Sequence, residues 1–331
     1  MNEVEIFAIV WFMRAPKTLQ QAIQFFTDPE NCRKFMIAMR WEDGVVRCPQ
    51  CDSDKVSYLE KSRLYFCPAN HPRQKFSLKV GTVLEDSPIG LDKWLPVFWM
   101  LSNCRNGVSS YEIARAVGVT QKSAWFMLHR IRLAMQSGSL LKLGYQGGPV
   151  EMDETFIGGK VKNMHKSKKP KGPGVSGKPV AGTAKTIVVG MVERGGRVRA
   201  EVVMERTHAV LRAIANKHIH PGATLMTDEW GGYKGSNFTH EIVNHAVEYV
   251  RGHVHTQGIE NFWSLLKRGL NGTYISVEPF HLSRYVDEQA FRYNNREKMD
   301  DYDRFALAVS QIVGKRLTYA EVTGKVGETA F

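Results

Sequence analysis

Three acidic residues, each set in a distinctive segment, carry the chemistry this chain could perform. Asp153 lies in Val150-Glu-Met-Asp-Glu-Thr-Phe-Ile-Gly-Gly159, Asp228 in Ala223-Thr-Leu-Met-Thr-Asp-Glu-Trp-Gly-Gly-Tyr233, and Glu260 in His255-Thr-Gln-Gly-Ile-Glu-Asn-Phe-Trp-Ser-Leu-Leu-Lys267. The first two carboxylates each end a short apolar run of strand type, and the third stands near the start of an amphipathic helical pattern. Such an arrangement gathers carboxylates from distant parts of a sheet. Hard oxygen ligands brought together in this way hold Mg²⁺ or Mn²⁺, which can activate an attacking oxygen and stabilise the leaving oxygen of a phosphodiester. Taken singly, each acid would pass for an ordinary surface carboxylate.

In these segments the chain resembles the DDE-type transposases of bacterial insertion sequences, in the subgroup with an N-terminal zinc ribbon and an RNase H-like catalytic domain. The likeness is carried by Met152-Asp-Glu-Thr-Phe-Ile-Gly-Gly-Lys160, Thr227-Asp-Glu-Trp-Gly-Gly-Tyr233, Ile259-Glu-Asn-Phe-Trp-Ser-Leu-Leu-Lys-Arg268 and Phe291-Arg-Tyr-Asn-Asn-Arg296, and it extends from about Gln20 to Gly324. It implies that Asp153, Asp228 and Glu260 are a metal-binding triad for Mg²⁺ or Mn²⁺. Lys267 matches the basic position that these enzymes place after the last acid, and Arg268 beside it joins the expected DNA-binding set.

Helical spacing supports Lys267 independently. Seven residues advance a helix by almost two turns, so Glu260 and Lys267 share a face, with Ile259, Phe262, Trp263 and Leu266 as an adjoining apolar stripe. A cation there could grip a DNA phosphate, or it could simply be solvated.

Charge agrees with a polyanionic partner. The formal net charge is +12, and eight lysines with no Asp, Glu or Arg fall between Thr155 and Val192. This stretch, with Lys166, Lys168, Lys169 and Lys171 at its centre, also carries Gly172, Pro173, Gly174, Gly177 and Pro179. It reads as a flexible basic loop over 160–185, either laid along the DNA backbone or merely solubilising.

A second constellation is Cys48-Pro-Gln-Cys51 followed, fifteen residues later, by Cys67-Pro-Ala-Asn-His71. Two tight knuckles that deliver thiolates and an imidazole fit a closed tetrahedral Zn²⁺ site. The segments Val56–Leu59 and Arg63–Phe66 between them read as ribbon strands. Where the resembled family would have a fourth cysteine, His71 stands instead. The remaining cysteines, Cys32 and Cys104, fall in apolar helical patterns and read as buried small hydrophobes. So few cysteines, used this way, point to a reducing cytoplasm rather than a disulfide framework. The apolar run Ile6–Met13 is too short to cross a bilayer and follows acidic rather than basic residues, so no membrane partner is expected.

Downstream, Ser110, Ala114, Gly118 and the apolar Ile113, Val117, Val119 and Ala124 fall where a helix-turn-helix needs close packing, a turn and a core. Its second helix, N-capped by Thr120, would present Gln121, Lys122 and Ser123 to a major groove; a purely structural hairpin is the alternative.

These elements give an α/β chain in which an RNase H-like mixed sheet follows a small zinc ribbon and a helix-turn-helix segment. The expected divisions are a helical segment 1–43, a ribbon 44–82, a helix-turn-helix segment 83–140, a catalytic domain 145–296 and a helical tail 297–331. Strands are expected at Pro149–Phe156, Thr186–Val192, Val198–Met204, Thr224–Thr227 and near Glu241–Val247, with helices at His208–His218, Ile259–Leu270 and Pro279–Tyr293. His253 and His255 stand close enough to Glu260 to reach the site, or serve as structural hydrogen-bond partners; Trp230 and Tyr233 could stack on a base or close a turn. The resulting function is a DNA transposase that binds double-stranded element ends and target DNA, as a homo-oligomer on DNA. The alternatives are a DNA-binding regulator derived from a transposase and an RNase H-like nuclease without strand transfer.

Overall fold

The computed structural model describes residues 15–136, 138, 141–159, 185–228, 238–243 and 256–325. The chain divides into two compact units, Met1–Gln136 with Asn295–Phe331, and Ser137–Asn294.

In the first unit, α1 (Leu19–Phe26) and α2 (Pro29–Arg40) precede a three-stranded antiparallel ribbon of β1 (Ser57–Leu59), β2 (Leu64–Phe66) and β3 (Lys75–Phe76). Then come α3 (Leu91–Asn103), α4 (Ser110–Val117) and α5 (Gln121–Met135). Thr18 and Asp28 start the first two helices by accepting from Gln21 N and Glu30 N, the role short oxygen-bearing side chains play at a helix start. The α4–α5 turn follows from its sequence. Ser109 and Glu112 form a capping box, Gly118 ends α4 at φ 63°, and Thr120 accepts from Ser123 N to open α5. A left-handed φ at the turn is natural for glycine and costly for a residue with a Cβ.

The tail returns to this unit. Phe305 of α9 (Asp301–Ser310) stacks on Phe35 with centroids 5.1 Å apart and packs beside Phe26 and Trp99. Beyond it, Arg130 donates to the carbonyls of Leu317 and Glu85, and Lys315 Nζ donates to those of Ala134 and Gln136. Residues 297–325 are therefore part of the N-terminal unit's core, a partnership the sequence did not disclose. Cys32 is buried as expected, but Cys104 is the C-cap of α3 and half-exposed, because the helix ends before burial is complete.

The second unit is a five-stranded mixed sheet in the order β6-β5-β4-β7-β8. Its strands are β4 (Val150–Ile157), β5 (Thr186–Glu193), β6 (Val198–Val203), β7 (Thr224–Asp228) and β8 (Thr239–Val243). β4, β5 and β6 pair antiparallel, whereas β7 runs parallel to both β4 and β8. Period-two alternation sorts the side chains of β4 and β5 to two faces. Val150, Met152, Val189 and Met191 pack with Leu211, Ile214 and Ala215 of α6 (His208–His218). On the other face Val188 and Val192 pack with Ile259, Phe262, Trp263 and Leu266 of α7 (Gln257–Arg268) and with Leu282, Tyr285 and Val286 of α8 (Leu282–Asn294). The turn after α7 is π-helical over Gly269–Tyr274, and a 3-10 turn at Pro279–His281 leads into α8, so the long helix expected from Pro279 begins as a tighter turn. The lysines Lys166, Lys168, Lys169 and Lys171, with Trp230, Tyr233, His253 and His255, lie outside the described residues.

Candidate functional site

Asp153 stands in the middle of β4 on the face that α7 covers. Its Oδ2 accepts a hydrogen bond from Trp263 Nε1 at 2.9 Å. The indole can lie this close to the sheet because Gly190 is the cross-strand partner of Asp153. A Cβ at Gly190 would stand 2.5 and 2.7 Å from two carbons of the Trp263 ring, well inside van der Waals contact.

Glu151, two residues earlier on the same face, is 1% exposed. Its Oε2 accepts from the backbone N–H of Ile259 at 3.0 Å, and its Oε1 lies 3.5 Å from Arg194 Nη2. Burying a carboxylate is costly unless it is hydrogen-bonded and paired, and here both conditions are met. Glu154, the acidic neighbour of Asp153, points the other way by alternation and pairs with Arg206 at 3.2 Å.

β7 carries the second acid. Glu151 is level with Met226 across the parallel β4–β7 ladder. Asp153 lies two residues further along β4, and Asp228 two residues further along β7, where it is level with Val243 of β8. Glu260 lies in the first turn of α7, exposed, with the Thr256 hydroxyl 3.4 Å from its Oε1. Trp263, one helical turn further on, is the residue that reaches Asp153. Lys267 and Arg268 occupy the last turn of α7 and are exposed. The sequence reading missed Glu151 and Trp263. Glu151 drew no reading of its own and Trp263 read as part of an apolar stripe, since the partners of both are more than a hundred residues away.

The second cluster lies in the ribbon. One donor atom each from Cys48, Cys51, Cys67 and His71 lies within 4.8 Å of all the others. Cys48 Sγ is 3.3 Å from His71 Nε2, and Cys51 Sγ is 3.6 Å from Cys67 Sγ. Tetrahedral zinc with Zn–S bonds of about 2.3 Å requires sulfur atoms roughly 3.8 Å apart, so the donor set and spacing fit Zn²⁺. Burial pushes the Cys48 thiol up, but the N–H groups of Gln50 and Cys51 and the neighbouring thiols outweigh it and hold Cys48 below the ordinary thiol range. Cys67 is pushed the other way, up, chiefly by burial and also by the same neighbouring thiols, so the shift at Cys48 reflects sulfurs held close together.

At the start of α5, Gln121 Nε2 donates to Ser110 Oγ at 2.8 Å, and Lys122 Nζ lies 4.6 Å from the centroid of the Tyr319 ring. Ser123 Oγ is 2.9 Å from Thr120 Oγ1. Lys122 is exposed and the other two half-buried.

A mixed RNase H-like sheet whose adjacent parallel strands β4 and β7 carry Asp153 and Asp228, together with a ribbon holding a Cys₃His cluster, defines the class of protein by fold. Comparison with known proteins then narrows it. Residues 146–294 match the ISXO2-like transposase domain, and residues 27–69 match the transposase zinc-ribbon domain. The chain is 26% identical over 261 residues to an uncharacterised protein in transposable element ISH50 of Halobacterium salinarum, covering 75% of this chain and 85% of that protein. It is 30% identical over 104 residues to an uncharacterised transposase-like protein of Haemophilus influenzae, covering 30% of this chain and 84% of that one. The chain belongs to the DDE-type transposases of insertion sequences that carry an N-terminal zinc ribbon and an RNase H-like domain. Among the described residues no helix is long and apolar enough to cross a membrane.

Proposed function

We propose that this transposase binds the ends of an insertion element and catalyses metal-dependent DNA strand cleavage followed by strand transfer. The observation that supports the reading is that β4, which bears Asp153, pairs parallel with β7, which bears Asp228, while α7, which bears Glu260, is tied to the Asp153 carboxylate through Trp263. Carboxylate oxygens are the donor chemistry that Mg²⁺ and Mn²⁺ prefer, and the three acids are assigned as their ligands. A divalent ion held there supplies charge neutralisation for an in-line displacement at phosphorus.

The chain's own residues do the rest. Lys267 and Arg268, on the last turn of α7, bind phosphates of the strand being cut. The buried Glu151 and the apolar underside of α7 keep that helix fixed against the sheet while DNA is held. In the first unit, Gln121, Lys122 and Ser123 at the start of α5 face a major groove, so that α4 and α5 act as a helix-turn-helix. The lysine-rich segment adds sequence-independent affinity for the backbone. Water cuts the element end to leave a 3′ hydroxyl, and this hydroxyl then displaces an oxygen of a target phosphodiester, with the protein acting as a homo-oligomer on the DNA.

The test is an in vitro assay with labelled element ends, target DNA and Mg²⁺. Asp153→Ala, Asp228→Ala and Glu260→Ala should each reduce cleavage and joining at least ~1000-fold, the scale at which loss of a charge-stabilising group acts, while gel-shift affinity for the ends is retained. Activity within a few fold of wild type for any of the three removes that residue from the triad.

A further inference from the structure

Strand β4 and helix α7 are tied at two points. Glu151 Oε2 accepts from the N–H of Ile259, and Asp153 Oδ2 accepts from Trp263 Nε1. The two acceptors are two residues apart on a strand, about 6.6 Å, and the two donors are four residues apart on a helix, about 6 Å along its axis. Ties of equal span on two rigid elements fix both the position of the helix and its rotation about its own axis; a single tie would fix neither.

The first tie does work that helix starts normally do for themselves. Ile259 is the third residue of α7 and its N–H is one of those with no partner inside the helix. The N-cap, Thr256, makes no side-chain cap bond. The cap is supplied instead by β4, and Gly258 makes room for it, since a Cβ there would come within 2.8 Å of Glu151 Oε2. Glu260 follows Ile259 directly, so whatever holds the Ile259 N–H holds Glu260. The second tie acts on the other acid. An indole N–H can only donate, so its bond occupies Asp153 Oδ2 and sets the direction of Oδ1. Gly190 is the residue that allows the ring to lie there.

We propose that Glu151 and Trp263 are positioning residues for the metal-binding carboxylates, Glu151 setting Glu260 through the start of α7 and Trp263 setting the orientation of Asp153. Glu151 is not itself a ligand in this assignment, because both its oxygens are engaged and its side chain is 1% exposed. The inference rests on the reading of Asp153, Asp228 and Glu260 as the divalent-metal ligands.

The experiment is calorimetric titration of Mn²⁺ into the zinc-loaded full chain, without DNA, for wild type, Asp153→Asn, Trp263→Phe, Glu151→Ala and Glu151→Gln. Circular dichroism and thermal unfolding of each variant accompany it. Residues that orient metal ligands cost roughly 10- to 100-fold in metal affinity when removed. Trp263→Phe keeps the ring packing and removes only the N–H, so it should weaken Mn²⁺ at least ~10-fold with the fold retained. Glu151→Ala should weaken it similarly, and Glu151→Gln should recover most of the loss, because an amide oxygen still accepts from Ile259. Should Glu151→Ala fail to fold, Trp263→Phe and Glu151→Gln decide. Wild-type Mn²⁺ affinity in both Trp263→Phe and Glu151→Ala overturns the positioning role, as does a Gln variant no better than Ala for Glu151. Wild-type affinity in Asp153→Asn would instead sink the metal-site reading beneath it, so the two failures are distinguishable.

Discussion

Asp153 and Glu154 are neighbours in sequence with different fates, and the difference is one step of strand alternation. Glu154 goes to the α6 face and is neutralised by Arg206, whereas Asp153 goes to the α7 face, half-buried under an indole N–H. The same logic of face assigns Lys267. It shares a helical face with Glu260 and is exposed at the end of α7. If it grips a phosphate near the carboxylates, Lys267→Ala should slow cleavage roughly 10- to 100-fold, since a charge-assisted contact is worth about 1.5–3 kcal/mol. Lys267→Arg should keep part of the rate, because the charge stays while the shape changes. Alanine is the better helix former, so α7 itself should be undisturbed. Equal single-turnover rates for wild type and Lys267→Ala would place this lysine on a solvated face. Asp153 and Asp228 were legible in the sequence because each ends an apolar run with unusual neighbours, and Glu260 because it opens an amphipathic helical pattern. Glu151 was not, because the backbone N–H that justifies its burial lies 108 residues away and is no side chain at all.

Elements were most readable where their ends are chemically marked. Gly118 and Thr120 announce the α4–α5 turn, and the structure uses the first as a left-handed turn and the second as an N-cap, adding a capping box of Ser109 and Glu112 in front of Ser110. Strand edges in the mixed sheet were readable from runs such as Thr-Ile-Val-Val, bounded by turn glycines. What the pattern could not supply was order, since the place of β7 beside β4 depends on contacts between segments some seventy residues apart. The ribbon lies between these cases. Its knuckles were plain in sequence, and the fold adds that His71 turns Nε2 toward the sulfur of Cys48. Binding zinc to such a site is worth about 10–16 kcal/mol over four ligands, or about 3 kcal/mol for each. Removing His71 should therefore weaken zinc roughly 100-fold. We expect His71→Ala to lose zinc to a competing chelator at concentrations that leave wild type loaded, and His71→Cys to hold it. Equal zinc retention by wild type and His71→Ala, read by metal analysis after dialysis, would require a different fourth ligand.

The whole chain sets the acids of β4, which would repel DNA, against a net charge of +12, which attracts it. The two coexist because they are unevenly distributed. The acids of β4 are partly cancelled within the fold by Arg194 and Arg206, while eight lysines sit together in the segment that follows β4 in sequence. The N-terminal unit is likewise completed from afar, since Phe305 fills an aromatic cluster begun by Phe26 and Phe35; a local reading of residues 297–331 as a tail had no means to find that. If the lysine-rich segment lies along the DNA backbone, its contribution should be electrostatic and blind to sequence. Each phosphate contact releases counterions and adds about 0.9 to the slope of log affinity against log salt. Replacing Lys166, Lys168, Lys169 and Lys171 with glutamine should then lower that slope by up to about 3.6 for any duplex, while the ratio of affinities for element ends and random DNA stays the same. A change in that ratio would mean that the segment reads sequence, and an unchanged slope would mean that it does not touch DNA.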